Sequence, residues 1–404
     1  MSMRPIRETI SLEEARRLMD EVTSPLDRVE RASIDRANGR VVARDVVAGC
    51  DVPPFDRAAM DGYAVVAEDT FGAGHFHPKV LTLVEKVYTG QVPTRAVSRG
   101  ECIEIATGAP MPTGADAVVM VEETEKDDPG RVRFFSPVYP GQNVGKRAAD
   151  ILAGQTLVER GMVLNPSRIG AIAAVGVLEV ELFAKPRVAI LSTGNEIVDP
   201  GRPLLPGQIY DVNKFTLSAI IEEHGGVPVP YATAPDTVED LTRALEACAA
   251  EDLIVFSGGS SVGERDLILD VVMQKGDVLF HGIAVKPGKP TLFGRINGKP
   301  VFGMPGYPTS CLSNGYMLLL PVLRRLAHLP ESGVRTLTAP LGQRIVSTTG
   351  RHQFYTVRLV DGVAMPAFKA SGDITSMSQA DGYIEIPAQT DIVEKGELVE
   401  VKLL

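Results

Sequence analysis

Between residues 187 and 304 the chain alternates short apolar runs with amphipathic stretches of helical period, and glycine, proline or serine marks nearly every transition. "RVAIL", "VPVPYA" and "DLIVF" read as buried strands. "VNKFTLSAIIEEHGG", "TVEDLTRALEACAA" and "RDLILDVVMQK" read as helices, the first with Asn213 as N-cap and Gly225 as stop, the second starting near Asp236. "TLFGRI" and "PVFGM" add later strands. Alternation of this kind requires a mostly parallel sheet covered by helices on both faces, so 186–329 is expected to be a doubly wound α/β domain. Ligands on such sheets bind outside the carboxyl ends of the strands. "STGNE", "SGGSSVGERD" and "GMPGYPTS" all follow strands, so all three turns can line one rim.

The middle turn carries the sharpest chemical question. A nucleotide P-loop would place a lysine after its last glycine, but here Glu264, Arg265 and Asp266 follow Gly263. Bare backbone N–H groups and hydroxyls suit an oxyanion. Carboxylates just beyond would repel one unless a divalent metal lay between.

The flanks read differently. Ser11 and Glu14 form a capping box, after which Leu12, Ala15, Leu18 and Val22 share one helical face. "GRVVARDVVAG" is an alternating strand, and "CDVPPFDRAAMDGYAV" suggests a domain crossing. From 63 to 138 short strand signals separated by Gly/Pro turns predict a β-rich block. "GQNVGKRAADI" closes it, and a helix containing "IGAIAAVGV" is expected to return onto the first helix. The resulting scheme has a discontinuous N-terminal domain (1–52 and 149–185), a β-rich insertion (53–148), the α/β domain, and a small C-terminal β barrel or sandwich (330–404).

At 404 residues, two to four domains are expected. A net charge of -10 without a basic stripe gives no reason to expect nucleic acid. Cys50, Cys102, Cys248 and Cys311 are scattered, indicating neither a zinc site nor a disulfide framework. The charged N-terminal stretch and the absence of a long apolar run predict a cytoplasmic protein without a membrane segment. His75 and His77 lack an evident third ligand and read as solvated loop residues.

"PPFDRAAMDGYAV", "ATGAPMPTGADAVVMVEE", "GQNV…AADI", "ILSTGNEIV", "GQIYDVN", "SGGSSVGERD", "AVKPGKP" and "GMPGYPTS" occur in order along the chain. Together they resemble the molybdopterin molybdenumtransferase family, that of MoeA and the gephyrin E-domain, as a variant with a "PGYPTS" loop. The resemblance implies a multidomain α/β plus β fold: a central molybdopterin-binding domain, a β-rich insertion and a small C-terminal barrel, in an elongated homodimer. It also implies a reaction in which adenylylated molybdopterin and molybdate, with Mg2+, yield molybdenum cofactor and AMP. The molybdopterin adenylyltransferase and apo-molybdoenzymes would be further partners.

By motif position the resemblance implies a catalytic set of Asp61, Thr107, Asp150, Glu196, Asp236 and Asp266, with Glu196, Asp236 and Asp266 holding magnesium. The family's cleft joins the insertion and the α/β domain from opposite subunits. Plainer readings stand beside these. Asp236 could cap the following helix, Asp266 could complement a helix dipole, Glu196 could be a solvated loop charge, and turn chemistry alone explains Asp61 and Thr107. The expected substrate contacts are Ser257, Gly258, Gly259, Ser260, Ser261 and Gly263 in the glycine–serine turn, Lys286 and Lys289 in the proline-stiffened "KPGKP", and Pro305, Gly306, Tyr307, Pro308 and Ser310. Thr309 and Ser310 are also candidates to cap the next helix.

The departures from the family pattern cluster where anions would sit. Tyr307 replaces an asparagine, Gly145 stands where a cation is usual with Lys146 and Arg147 as substitutes, and a usual lysine is replaced around Gly282. A tungstate-specific insertase and a non-catalytic molybdopterin-binding or scaffold protein are therefore alternatives.

Overall fold

Val188, Ile190, Val255 and Phe302 are fully buried in the middle of parallel strands, as continuous apolar runs require when both faces of a sheet are covered. The computed structural model describes residues 8–128, 130–258, 266–331 and 334–404. It divides into two compact units, one made of residues up to 30 with 39–41 and 182–404, the other of 31–38 with 42–181.

In the first unit, six strands among the described residues form the central sheet in the order Val227–Pro230, Arg187–Ser192, Leu253–Ser257, Lys299–Met304, Leu292–Ile296, Asp277–His281. The first four run parallel and the last two close antiparallel. The chain winds outward in opposite directions from Arg187–Ser192, so the carboxyl ends of that strand and of Leu253–Ser257 flank the topological switch point. Helices Asn213–Glu223, Val238–Ala247 and Leu267–Lys275 pack on the sheet through Leu217, Leu241 and Val272, among others. Burying a side chain such as Phe302 stabilises by about 1.5–3 kcal/mol, and Phe302→Ala would cost about 3–5 kcal/mol once the cavity is counted.

The helix Leu12–Val22 begins at its Ser11 cap, whose hydroxyl accepts from Glu14 N at 3.0 Å. Its apolar face, Leu12, Ala15 and Met19, is part of the same core as Phe302 and Met317. The apolar stripe that the sequence shows on this helix thus packs on the α/β core. A second sheet, Val285–Lys286, His352–Val360, Gly382–Ile386, Leu398–Leu403 and Thr336–Pro340, carries the C-terminal residues, and it takes its first strand from the "KPGKP" region. Its Phe354 and Tyr383 also join the α/β core.

The second unit is built on a sheet in the order Ala117–Met120, Gly62–Val65, Glu101–Ile105, Lys79–Val87, Arg131–Phe134, Thr124–Asp128. Tyr63 and Val65 face one apolar cluster and Ala64 the other, so Gly62–Val65 is buried throughout. Gly62 is required by close approach: a methyl group there would lie 1.9 Å from the Val119 carbonyl oxygen. His75 stacks on Phe135, with ring centroids 5.2 Å apart.

Candidate functional site

Three strand ends meet at the switch point. Thr193 N donates to Ser257 O at 2.9 Å and Gly258 N to Met304 O at 3.3 Å. Gly258 has a φ of 108°, and a methyl group on it would meet the Thr193 carbonyl oxygen at 2.3 Å, so only glycine fits. Gly306 approaches the same point, its missing Cβ lying 3.5 Å from Gly258 Cα, and Asn213 Nδ2 fixes its carbonyl at 2.8 Å. Thr193, Gly258 and Gly306, one residue from each of the three turns expected to share one rim, converge here. Gly259, Ser260, Ser261 and Gly263 lie outside the described residues. Ser257 is buried with its hydroxyl 3.9 Å from Cys311 Sγ, which turns that side chain into the core.

Around this rim several polar atoms are buried and have no hydrogen-bond partner among the described residues: Ser192 Oγ, Thr193 Oγ1, Thr233 Oγ1, Asn213 Oδ1 and Asp236 Oδ1. Buried polar groups are normally paired, so a cluster of unpaired ones marks where a ligand would complete the structure. The expected start of a helix near Asp236 moves by one residue. Thr237 is the cap of Val238–Ala247, its hydroxyl accepting from Asp240 N at 3.1 Å, and the Asp236 carboxylate is thereby released from capping. Burial pushes the Asp236 carboxyl up, and the negative charge of Glu196 pushes it further. The nearby Thr193 hydroxyl offsets only part of that rise and does not meet hydrogen-bond geometry. Glu196 is exposed and folds back over Gly194, where a methyl group would lie 2.8 Å from the carboxylate.

Asp266 is placed otherwise. It caps Leu267–Lys275, accepting from Leu269 N at 3.0 Å, while its second oxygen pairs with His281 Nε2 at 3.0 Å. Both of its oxygens are thus engaged, and among the described residues no group of three His, Cys, Asp or Glu is arranged to hold a metal ion. Asn213, expected as an N-cap, is the first residue of its helix, and Asp211 supplies the cap contact to Lys214 N at 3.0 Å. The Lys214 ammonium is buried between Asp199 at 2.6 Å and Asp211 at 3.4 Å.

In "KPGKP", Lys286 is exposed and donates to Thr348 Oγ1 at 2.8 Å. The carbonyl of half-buried Lys289 accepts from Ile283 N and Thr291 N and folds the turn. Gly288 has a φ of 103°, and a methyl group there would strike the Asn314 amide at 2.5 Å. Pro305 is buried, Gly306 and Tyr307 are exposed, and Pro308 opens the helix Pro308–Asn314. Thr309 and Ser310 do not cap that helix. Both lie inside it, Thr309 donating to Asp373 O at 2.9 Å and the Ser310 carbonyl accepting from Ser313 Oγ.

In the second unit Asp61 Oδ1 accepts from both Thr107 N at 2.7 Å and Thr107 Oγ1 at 2.8 Å. These two bonds, the backbone one first, hold the Asp61 carboxyl below its ordinary range. Asp150 is exposed, with its N–H donating to Val52 O, and no hydrogen bond among the described residues joins it to the Asp61–Thr107 pair. Sequence reasoning gave no role to Ser192, Thr193, Thr233 or His281. The available signal was hydroxyls at the carboxyl end of a buried strand, which is the place a switch-point ligand would touch.

Comparison with known proteins gives the same arrangement. Residues 10–176 match the MoeA N-terminal region (domain I and II), 189–325 a probable molybdopterin binding domain, and 338–404 the MoeA C-terminal region (domain IV). A putative molybdopterin biosynthesis protein of Methanocaldococcus jannaschii is 34% identical over 416 residues, spanning 100% of both chains. Molybdopterin molybdenumtransferase 2 of Mycobacterium tuberculosis is 34% identical over 379 residues, covering 91% of this chain and 93% of that protein. A solved structure of a molybdopterin biosynthesis MoeA protein from Pyrococcus horikoshii superposes with a TM-score of 0.85 at 42% identity, over 98% of this chain and 99% of that one. With family matches in register along nearly its whole length, this chain belongs to the MoeA family.

Proposed function

We propose that the protein is a molybdopterin molybdenumtransferase that inserts molybdate into adenylylated molybdopterin and releases AMP in a magnesium-dependent reaction. The observation that carries this reading is the set of buried atoms at the switch point without a partner among the described residues, Ser192 Oγ, Thr193 Oγ1 and Asp236 Oδ1, within the stretch matching a molybdopterin binding domain. The carboxylates fit a hard divalent ion, since Asp236 has an unpaired buried oxygen beside the charge of Glu196. Magnesium, when bound, would neutralise charge on the phosphates.

The chain's own groups divide the remaining work. Gly258, at the start of the glycine–serine turn, stands on the phosphate side, and Lys286 and Lys289 answer its charge. Asn213 Oδ1, Ser192 and Thr193 take up hydrogen bonds from the pterin side. Tyr307, exposed at the end of the third turn, offers a ring for a planar heterocycle. Asp266, oriented by the helix N–H and His281, would join as third carboxylate only through the remaining lone pairs of those two oxygens, and Asp61 keeps the Thr107 hydroxyl directed. Asp150 supplies charge from an exposed position. The reading includes a cytoplasmic homodimer, with the molybdopterin adenylyltransferase and apo-molybdoenzymes as further partners.

The test is AMP release by the purified protein from adenylylated molybdopterin with magnesium, titrated separately with molybdate and tungstate. Release that depends on one oxyanion supports the insertase and names its metal. A folded protein that binds the pterin and releases nothing with either oxyanion refutes it.

A further inference from the structure

Gly145 leaves a gap in its strand, and an arginine borders that gap from across the sheet. Val144–Gly145 pairs antiparallel with Arg57–Ala58, Gly145 standing opposite Arg57. A methyl group on Gly145 would lie in ordinary contact with Arg57, 3.4 Å from its Cγ and 3.6 Å from its Nε, so the arginine stem borders the open space above Gly145. The two cations expected to answer for Gly145 are already committed. Lys146 Nζ pairs with Asp56 at 2.8 Å, and Arg147 Nε pairs with the buried carboxylate of Asp51 at 2.6 Å.

Arg57 differs from both. Its guanidinium is exposed and has no hydrogen bond or ion pair among the described residues. It also stands beside chemistry already described. Ala58 N donates to Ala109 O and Gly108 N to Ala58 O, so the Arg57 strand lies between the Gly145 strand and the turn bearing Thr107, whose hydroxyl is held by Asp61.

We propose that Arg57 is the oxyanion-binding cation of the second unit: its guanidinium, swung over Gly145, takes a tetrahedral oxyanion through paired N–H donors. The planar fork suits such an ion better than the ammonium of Lys146 would. The small residue at 145 then suits the site, because a long side chain there would compete with the arginine stem for the same space. The inference rests on the insertase reading for the origin of the anion, which is either the metal oxyanion or the phosphate of the substrate.

The experiment measures binding of molybdate, tungstate, inorganic phosphate and AMP to the full-length protein by equilibrium dialysis. R57M keeps the stem over Gly145 and removes only the charge. It should weaken binding of at least one of these ions by roughly tenfold to a hundredfold, the usual range for a charge-assisted contact. Loss confined to molybdate and tungstate assigns the metal oxyanion, and loss confined to phosphate and AMP assigns the phosphate. K146A should stay within about twofold of the parent, since an exposed ion pair contributes little. The exchange variant R57A/G145R should recover most of what R57A loses, because the backbone at Gly145 is not in the left-handed region and an arginine there reaches the same space. Unchanged binding of all four ions by R57M, no binding by the parent, a loss carried by K146A, or no recovery in the exchange variant would each overturn the assignment. Oxyanion binding through Arg57 without AMP release would instead leave the assignment standing and remove the insertase reading.

Discussion

Asp236, at the switch point of the α/β sheet, and Glu385, on the strand Gly382–Ile386 of the C-terminal sheet, are both carboxylates withdrawn from water, yet they move in opposite directions. Asp236 has one buried oxygen with no partner among the described residues and a second carboxylate nearby, and its carboxyl is pushed up. Burial would push the Glu385 carboxyl up as well, but hydrogen bonds from His352 at 2.8 Å and Lys402 at 2.6 Å overcome it, and with the charges of Lys402 and Arg16 bring it down to about 2. The difference lies in the partners. Glu385 already has its cations and is a structural group, whereas Asp236 has none among the described residues.

The largest expected effect tests that contrast at the switch point. D236N should lower AMP release by on the order of a hundredfold and remove magnesium-dependent protection against thermal unfolding, while leaving the urea midpoint unchanged or slightly raised. A D236N protein that unfolds as readily as a core variant would erase the distinction. Next, E385Q should destabilise by about 3 kcal/mol in urea titration, because the Lys402 ammonium is left without its carboxylate in a poorly solvated place. Its AMP release per folded molecule should be unaltered.

The same network sets an acid limit. Because the folded Glu385 carboxyl is depressed from 4.5 to about 2, its contribution is fully present above pH 4.5 and is lost as pH falls toward about 2. The parent should therefore lose stability more steeply than E385Q over that window, as followed by circular dichroism. The smallest effect separates two adjacent residues: T237A should cost about 1 kcal/mol through loss of the cap on Val238–Ala247, while D236A should leave that helix intact. Amide exchange in its first turn distinguishes the two.

Much of the site was legible because its elements are local. Apolar periodicity gave the strands, and the turns "STGNE", "SGGSSVGERD" and "GMPGYPTS" fell at their carboxyl ends, which is where Thr193, Gly258 and Gly306 converge. Helix starts were legible only to within a residue, because Asp236 and Thr237 are both good caps and only the backbone geometry selects Thr237. The hydroxyl of Ser257 gave no sign in the sequence that it would turn toward Cys311 rather than the rim. The first helix announced its apolar face, and nothing in its period named the surface that face would cover.

By itself, then, the sequence determined the alternation of strands and helices, the three turns at one rim and the family to which their motifs belong. Period, turn chemistry and motif order are encoded over a few neighbouring residues. Only the tertiary structure decided which charges stay unspent. His281 engages Asp266 from fifteen residues away, and Lys146 and Arg147 are consumed by Asp56 and Asp51 about ninety residues earlier, while Arg57 crosses to Gly145 and keeps its guanidinium free of partners among the described residues. Pairing of this kind follows from strand register and burial, which bring distant residues within a few ångströms and which no local pattern records.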